Sequence, residues 1–404
     1  MISFEESMER IESINLSPTD IIELPLMDAI GYRLAEDIVA DSNLPEYPTS
    51  AMDGYAIRFE DQMLEEIEVE SINPAGAEEL LELTPGRAIK TFTGSLMPKG
   101  SDTLIPVENV TANGKKITIN EEVTYGYSVR EIGESYRKGE ILIEKTTRID
   151  FEEISVLASL NYTKVKVYAK VKVAIIATGS ELLELGEEQT RASQIRSSNN
   201  YTIEAIVKKY DGEPLQFGCV GDDIDAIKES LQLALEKSDI VVTTGGVSVG
   251  DFDFVKDVVR DSLGAELIFK GVVIKPGQHI MVAQVENKII IALPGFAYSS
   301  TVTALLYLLP VLYKYNKVTY KMPLLETILG SKYKKKSKKT EFTAGNLTLV
   351  DNKLTIDFNG KKSGTSAIMT NMLGSVALAV TSPDEGDKES GESIRTLIYN
   401  LNLN

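Results

Sequence analysis

Four apolar runs in the middle of the chain constrain its fold more than any other feature of the sequence. They are VKVAIIAT (171–178), LQFGCV (215–220), DIVVTT (239–244) and KIIIAL (288–293). Continuous apolar runs of this kind are typical of strands that are buried on both faces of a parallel sheet. Helical patterns lie between the runs, around SNNYTIEAIVKKY, DDIDAIKESLQLALEK and FDFVKDVVRDSL. This alternation predicts a parallel, three-layer α/β domain.

Each of the four runs ends in a polar, glycine-containing cluster. The clusters are GSE (179–181), GDD (221–223), GGVSVGD (245–251) and PGF (294–296). One such cluster is explained equally well by ordinary turn chemistry. Because ligands of open α/β sheets lie beyond the carboxyl ends of the strands, four clusters are expected to meet at one rim. Backbone N–H groups of glycine-rich turns bind phosphate-like anions, so the rim is predicted to admit an anion.

Charged residues at this rim suit phosphate chemistry assisted by a hard cation. Glu181, Asp222 and Asp253 carry hard oxygen donors of the kind that hold Mg²⁺ against substrate phosphates. Lys275, in IKPGQ, is a candidate for neutralising an oxyanion. The sequence lacks a G-x-x-x-x-G-K-[ST] loop and a G-x-G-x-x-G fingerprint after a strand. An ATPase and a Rossmann dehydrogenase are therefore disfavoured.

Composition excludes several other classes of protein. The chain has one histidine, His279, and one cysteine, Cys219, which rules out a histidine- or cysteine-rich zinc site and an intramolecular disulfide. Its formal net charge of −18 argues against a nucleic-acid or anionic-membrane partner. The single cysteine fits a reducing compartment. With no apolar leader and no apolar run of about eighteen residues, we expect a cytoplasmic protein without a membrane partner.

The patterns on either side of the α/β region predict further domains. Residues 1 to about 40, with FEESMERIESI, have the apolar spacing of one or two amphipathic helices. Short alternating runs follow to about residue 130 and predict a small β domain. DFEEISVLASLNYTKVKVY is predicted to be a helix followed by a strand. The tail from about Met322, with the hairpin pattern LTLVDNKLTIDF, predicts a second small β domain.

Two further segments leave a structural and a functional interpretation open. PTSAMDGYAIR brings Ser50, Asp53 and Tyr55 together beside an Asp-Gly turn, and the pattern favours neither interpretation. The basic run KYKKKSKK (332–339) is better explained as a solvated hairpin or loop edge. A contact with a substrate phosphate or a partner is the alternative for that run.

Several longer motifs occur in a fixed order along the whole chain. They are SAMDGYA (50–56), TGSLMPKGSDTLIPVE (93–108), VREIGESYRKGEIL (129–142), ATGSEL, TGGVSVGDFD (244–253), IKPG and LPG. In this order they resemble the molybdopterin molybdenumtransferase (MoeA) family, whose domain set also forms the C-terminal part of gephyrin. The resemblance covers essentially the whole chain.

The resemblance implies a multidomain α/β plus β architecture with four domains in an L-shaped protomer. A discontinuous helical and extended dimerisation domain would contain residues 1–43 and 131–168, and a small β domain residues 44–130. The molybdopterin-binding α/β domain would contain residues 169–320, and a β-barrel-like domain residues 321–404. The resemblance also implies a homodimer whose subunits share the active cleft.

The same resemblance implies a reaction and a set of site residues. Molybdenum from molybdate would enter adenylylated molybdopterin, with Mg²⁺ as cofactor and AMP released. The catalytic residues would be Asp53, Asp222, Asp253 and Lys275, and the metal ligands Glu181, Asp222 and Asp253. The substrate-binding residues would be Thr93, Thr178, Gly179, Ser180, Thr244, Gly245, Gly246, Ser248, Gly250, Pro294 and Gly295. The molybdopterin adenylyltransferase and molybdoenzyme acceptors are further candidate partners.

Two motifs depart from the family pattern. KPGKP is replaced by KPGQH, so Gln278 takes the place of a lysine, with protonated His279 or Lys270 as possible substitutes for the lost cation. LPGNPVS is replaced by LPGFAYS, which puts Phe296, Ala297 and Tyr298 in place of Asn, Pro and Val. An active molybdenum insertase is favoured. The alternative is a non-catalytic paralogue that binds molybdopterin or molybdenum cofactor for storage, delivery or scaffolding.

Overall fold

The computed structural model describes residues 1–77, 79–246, 255, 258–362, 366–374 and 376–399. The chain forms two compact units. The larger unit contains Met1–Glu23, Gly31–Arg33 and Lys166–Asn404, and the smaller unit contains Leu24–Ile30 and Leu34–Val165. Three strands, Ile21–Pro25, Arg33–Leu34 and Lys164–Tyr168, form a small sheet. Within the described residues, no helix combines the length and apolarity that a bilayer crossing requires.

The smaller unit is built around a six-stranded sheet. In spatial order its strands are Thr103–Pro106, Gly54–Ile57, Arg87–Thr91, Ile67–Asn73, Lys116–Ile119 and Val110–Asn113. Two ladders accompany it, Thr49–Ser50 with Val129–Arg130 and Ile38–Val39 with Ile141–Ile143. Its one α-helix among the described residues is Phe151–Ser159, which begins at a capping box formed by Asp150 and Glu153. The predicted β region and the predicted helix before a strand are confirmed.

Gly54 has a structural reason to be glycine. A Cβ atom there would lie 2.3 Å from the carbonyl oxygen of Ile105 on the neighbouring strand. Tyr55, the next residue, is buried in the core of this sheet. Gly54 and Tyr55 of this motif therefore serve strand packing, whereas the carboxylate of Asp53 is exposed and available to a ligand.

The N-terminal segment contains less helix than its periodicity predicts. One α-helix forms, Phe4–Ser13, and the Ser3 side chain caps it by accepting from the Glu6 N–H at 3.0 Å. Pro18 and Pro25 lie beyond it and cannot donate a backbone hydrogen bond, so the chain continues as strand and as the 3₁₀ turn Leu26–Ala29. Prediction of helix up to residue 40 was wrong for this reason.

A six-stranded mixed sheet forms the centre of the larger unit. In spatial order its strands are Glu213–Val220, Lys172–Thr178, Ile240–Thr244, Lys288–Leu293, Met281–Val285 and Glu266–Lys270. The first four contain the predicted apolar runs and pair in parallel. The last two pair antiparallel at one edge and were missed by the sequence patterns.

Both faces of this sheet are covered, which gives the predicted three layers. One face packs against helix Asn199–Lys209 and the helical segments Ala297–Thr303, Ala304–Leu308 and Leu309–Tyr315. The other face packs against helix Ile224–Lys237 and the π-helical turn Val258–Ser262. Alternate strand residues such as Ile175 and Ile176 enter opposite cores, which explains why the runs are apolar throughout.

The C-terminal part of the larger unit is a β-barrel. Its strands Thr340–Val350, Lys353–Asp357, Leu324–Leu329, Ser393–Leu397 and Val376–Thr381 close because the first also pairs with the last. The hairpin predicted from LTLVDNKLTIDF is confirmed, with Asp351 and Asn352 at positive φ in its turn. A short strand, Ile274–Lys275, adds in parallel to Thr340–Glu341 at the barrel edge.

Candidate active site

A cleft of about 1290 Å³ opens at the carboxyl ends of the four parallel strands. The lining includes two strand-end residues, Thr178 and Thr244, and members of all four predicted clusters: Gly179, Glu181, Asp222, Gly245, Gly246, Pro294, Gly295 and Phe296. The prediction that the clusters meet at one rim is therefore confirmed. Residues from the barrel side, Lys275, Gln278, His279, Lys339 and Ser366, complete the opposite part of the lining.

The floor of the cleft depends on glycines because neighbouring strand ends approach closely. Gly245 has a φ of +94°, and a Cβ atom there would lie 2.6 Å from the carbonyl oxygen of Thr178. The N–H groups of Gly179 and Gly245 donate to Val220 O and Leu293 O at 3.0 and 3.1 Å. These two glycines therefore shape the floor, and donors for a bound anion have to come from other groups.

Asp222 is held at the rim by a reciprocal pair of hydrogen bonds with Ser180. The Ser180 N–H donates to Asp222 Oδ2 at 3.0 Å, and the Asp222 N–H donates to Ser180 Oγ at 3.0 Å. Both polar groups of Ser180 are thus engaged in fixing the loop, and Ser180 lies outside the cleft lining. Glu181 lines the same rim with an exposed carboxylate.

The predicted residues Ser248, Gly250 and Asp253 lie outside the described residues. The predicted metal ligands are therefore represented at the rim by Glu181 and Asp222. Considering only the part of the chain that the structure describes, there is no group of three or more His, Cys, Asp or Glu side chains placed to hold a metal ion. Carboxylate oxygens are nevertheless the donors that Mg²⁺ prefers.

Lys275 enters the cleft above a buried carboxylate. Its Nζ lies 3.4 Å from Glu341 Oε1, and the Glu341 side chain is 4% exposed. Burial by itself raises the pKa of Glu341. Hydrogen bonds from Ser337 Oγ, the Lys336 N–H and Tyr333 Oη, together with the charge of Lys275, outweigh burial and leave the pKa below its ordinary value. Glu341 is thus an anion that fixes the Lys275 ammonium at the cleft wall.

Lys339 supplies a second ammonium where the sequence suggested a loss of charge. Its Nζ donates to Gln278 Oε1, and Gln278 Nε2 lies 2.7 Å from His279 Nε2. The cleft therefore retains a cation beside Gln278, and it comes from the basic run 332–339. No sequence signal connected the two positions, because they are 61 residues apart and meet only when the barrel packs on the α/β domain.

The substitutions in PGFAYS have different structural consequences. Phe296 is 63% exposed at the lip of the cleft, immediately before helix Ala297–Thr303. Tyr298 is buried, and its hydroxyl donates to Phe342 O and accepts from the Ala344 N–H, both at 2.9 Å. Phe296 therefore alters the surface offered to a ligand, whereas Tyr298 joins the α/β domain to the barrel.

Asp53 and Thr93 belong to the smaller unit and bind each other. The Thr93 N–H donates to Asp53 Oδ1 at 2.8 Å, and Thr93 Oγ1 donates to the same atom at 2.7 Å. These hydrogen bonds lower the pKa of Asp53 below its ordinary value. Asp53 is consequently an exposed, fixed anion at neutral pH.

Several residues of the cleft lining were missed by the sequence analysis. Arg196, Ser197 and Ser198 line it from the segment before helix Asn199–Lys209, Asn199 lines it from the first position of that helix, and Ser299 lines it from the helix after Phe296. Asn199 Nδ2 donates to Gly295 O at 2.8 Å and so ties two parts of the rim together. The motif RSSN follows no apolar run and gave no signal. Cys219 is half-buried, and burial together with Glu184 raises the pKa of its thiol to about 12, which makes it a poor nucleophile.

Comparisons with known proteins agree with this architecture. Residues 2–161 match the family "MoeA N-terminal region (domain I and II)", and residues 174–314 match the family "Probable molybdopterin binding domain". The chain is 32% identical over 390 residues to a molybdopterin molybdenumtransferase from Nostoc sp., covering 94% of this chain and 88% of that one. It is 29% identical to the Haemophilus influenzae protein of the same name, covering 99% of each. A MoeA protein from Pyrococcus horikoshii OT3 superposes with a TM-score of 0.83 at 30% identity, covering 99% of this chain and 100% of that one.

Proposed function

The chain belongs to the molybdopterin molybdenumtransferase (MoeA) family of molybdenum cofactor biosynthesis, and on this premise we propose that it inserts molybdenum from molybdate into adenylylated molybdopterin with release of AMP. One observation carries the proposal. A single cleft combines a glycine-shaped floor and two carboxylates on the sheet side with two ammonium groups on the barrel side. Such a cleft suits two anionic substrates, one of them carrying a phosphoanhydride.

The sheet side of the cleft is proposed to hold the pterin and its phosphates. Glycines at positions 179 and 245 let a ligand approach the strand ends closely. Thr178 and Thr244 lie at those strand ends and offer hydroxyl groups. Ser248 and the N–H groups around it would contact the pterin and its phosphate, as the family resemblance implies. The floor thereby positions the phosphoanhydride beside Glu181 and Asp222.

Mg²⁺ is proposed as the cofactor, and the rim fits it chemically. Glu181 and Asp222 are carboxylates that line one rim, and Asp222 is pre-oriented by Ser180. Asp253 would join them. When bound, Mg²⁺ would neutralise phosphate charge and so assist cleavage of the phosphoanhydride. Positioning and charge stabilisation then accomplish the step without a histidine base.

The barrel side is proposed to bind molybdate. Lys275 and Lys339 both line the cleft, and each is fixed by a partner, Glu341 and Gln278 respectively. Ammonium groups held in place bind a compact dianion with less loss of side-chain freedom than mobile ones. Molybdate would thus be held in the same cleft as the dithiolene that receives the metal.

Asp53 is proposed to act in a cleft shared between two subunits of a homodimer. Its fixed, exposed negative charge would orient molybdate or a water molecule. The molybdopterin adenylyltransferase and molybdoenzyme acceptors remain the proposed partners, and the cytoplasm the proposed location. The four-domain division predicted above is part of the same proposal.

The deciding experiment measures AMP release from adenylylated molybdopterin by the purified protein with Mg²⁺. The expected result is AMP production that requires molybdate, with little in a molybdate-free control. Tight molybdopterin binding without AMP production would contradict this and favour the non-catalytic carrier, for which the exposed Phe296 at the cleft lip is the supporting observation. In that case Phe296→Asn and Gln278→Lys, which return both positions to the family pattern, would be the substitutions to test.

A further inference from the structure

A second, lysine-lined pocket of about 390 Å³ lies next to the cleft on the barrel. Six lysines line it: Lys275, Lys332, Lys334, Lys336, Lys361 and Lys362. Among the described residues, the lining contains one carboxylate, that of the buried Glu341. Such a concentration of positive charge is unexpected in a chain whose net charge is −18. The name lysine pocket is used below for this cavity.

We propose that the lysine pocket binds a small tetrahedral oxyanion and supplies it to the neighbouring cleft. The inference rests on the function proposed above. Lys275, Pro276 and Ser366 line both cavities, so an anion that leaves the lysine pocket meets Lys275 at once. A local positive field of this kind raises the concentration of anions near a site whose protein as a whole repels them.

The side chains of the basic run have different and defined contacts, which argues against a merely solvated loop. Lys334 and Lys336 line the pocket, whereas Lys335 between them points away and donates to Ser382 O and, at 3.1 Å, to Lys339 O. Tyr333 is buried, and its N–H and C=O pair with Lys388 at 2.9 and 3.0 Å. The run is thus held in register on the barrel.

The opposite wall is equally fixed. Asn371 Oδ1 accepts from the Lys362 N–H at 2.9 Å, and Asn371 Nδ2 donates to Lys362 O at 2.7 Å. Lys361 Nζ donates to Leu373 O at 2.9 Å. Both walls therefore present their lysines from anchored backbone, which lowers the entropy lost when an anion binds.

Four of the six ammonium groups form no ion pair among the described residues, Lys361 among them, whose Nζ donates to a backbone carbonyl instead. Lys332 pairs with Glu389 at 2.5 Å, and Lys275 pairs with Glu341. The other three of the four, Lys334, Lys336 and Lys362, likewise lack an ion pair in the part of the chain that the structure describes. Glu341 in turn is saturated by Tyr333, Ser337, the Lys336 N–H and Lys275. The pocket consequently carries unbalanced positive charge that a dianion would neutralise.

The experiment compares the unsubstituted protein with the variant Lys334→Gln/Lys336→Gln/Lys362→Gln. A matched control, Lys321→Gln/Lys338→Gln/Lys353→Gln, removes three exposed lysines outside the pocket lining. Equilibrium dialysis measures binding of sodium molybdate, and parallel titrations use inorganic phosphate and AMP. We expect two molybdate ions per wild-type chain, with the second weakened about tenfold or more in the pocket variant and unchanged in the control.

Each outcome separates the inference from the proposed function. Unchanged molybdate, phosphate and AMP binding in the pocket variant would overturn the lysine pocket, whatever the AMP-release activity. Weaker phosphate and AMP binding with unchanged molybdate binding would support the pocket and assign it to a phosphate group. Weaker binding of all three ions in the control as well would show a general charge effect and would also overturn it. If the wild-type protein releases no AMP, and anion binding is weakened only in the pocket variant, the lysine pocket is supported and the proposed insertase activity is contradicted.

Discussion

Lys275 Nζ and Glu341 Oε1 lie 3.4 Å apart, although 66 residues separate them in the chain. They are brought together because strand Ile274–Lys275 pairs in parallel with Thr340–Glu341 at the barrel edge. The side chain of a cleft residue is thereby oriented by a buried carboxylate of the barrel. The consequence is that barrel stability and cleft chemistry share one ion pair.

Glu341→Gln is expected to lower the free energy of unfolding at pH 7 by about 1–3 kcal/mol, because it leaves several donors with a weaker acceptor. The folded-state pKa of Glu341 lies below its ordinary value of 4.5. The ionised carboxylate therefore stabilises the folded state fully above pH 4.5, and this stabilisation is lost as the pH falls through the lower, folded-state pKa. Urea unfolding measured between about pH 3 and pH 7 should show that the free energy of unfolding falls less steeply toward acid pH in the variant than in the wild type.

Glu389→Gln is the matched control for that prediction. Glu389 is 67% exposed and pairs with Lys332 at the surface. Surface pairs of this kind contribute about 0–1 kcal/mol, so its acid limb should follow the wild type. Equal losses in the two variants would show that Glu341 has no special role.

Tyr298→Phe is expected to destabilise the larger unit by about 1–3 kcal/mol, because it leaves the Ala344 N–H and Phe342 O without their buried partner. Tyr298 lies outside the cleft lining, so AMP release per folded molecule should stay close to wild type. Urea unfolding checks the first part and an activity assay the second. Tyr47→Phe, at a residue 58% exposed, is the control and should change stability by less than about 0.5 kcal/mol.

The sequence alone predicted much of the central sheet and very little of how the barrel contributes to the cleft. The four parallel strands and their clusters follow from a period and a composition that are local. The contacts of Lys339 with Gln278 and of Lys275 with Glu341 depend on domain packing over about sixty residues of chain, which no local pattern records. Strand Glu266–Lys270 was missed because its edge position leaves it less uniformly apolar, and the short strand Met281–Val285 inside it was missed as well. The predicted N-terminal helix was too long because the apolar spacing continues beyond Ser13, where the helix ends, and past Pro18 and Pro25.

Asp53→Asn is expected to reduce molybdate-dependent AMP release roughly tenfold to a hundredfold without changing the melting temperature. The amide oxygen still accepts from the N–H and hydroxyl of Thr93, so the local fold is kept while the fixed charge is lost. Asp41→Asn, an exposed position in the same unit, is the control and should retain full activity. Full activity in Asp53→Asn would remove this residue from the proposed machinery.

Asp222→Asn is expected to raise the Mg²⁺ concentration required for half-maximal AMP release by at least about tenfold. The reason is that a neutral amide is a weaker ligand for a hard cation, whereas it still accepts from the Ser180 N–H. Chelation of Mg²⁺ by EDTA should abolish AMP release in the wild type and leave the fold intact. Asp225→Asn, at an acidic residue in the first turn of helix Ile224–Lys237, should titrate with Mg²⁺ as the wild type does.

Lys339→Gln is expected to weaken molybdate binding about tenfold. The reason is that the cleft has two lysine ammonium groups in its lining and then loses the one beside Gln278. Adding Gln278→Lys to that variant returns an ammonium to the same place and should restore most of the affinity. Isothermal titration with sodium molybdate measures both steps, and Lys338→Gln, an exposed neighbour outside the cleft lining, is the control. If Gln278→Lys alone strengthens binding while Lys339→Gln has no effect, Lys339 does not replace the family's lysine, and the departure at position 278 is a real loss of charge.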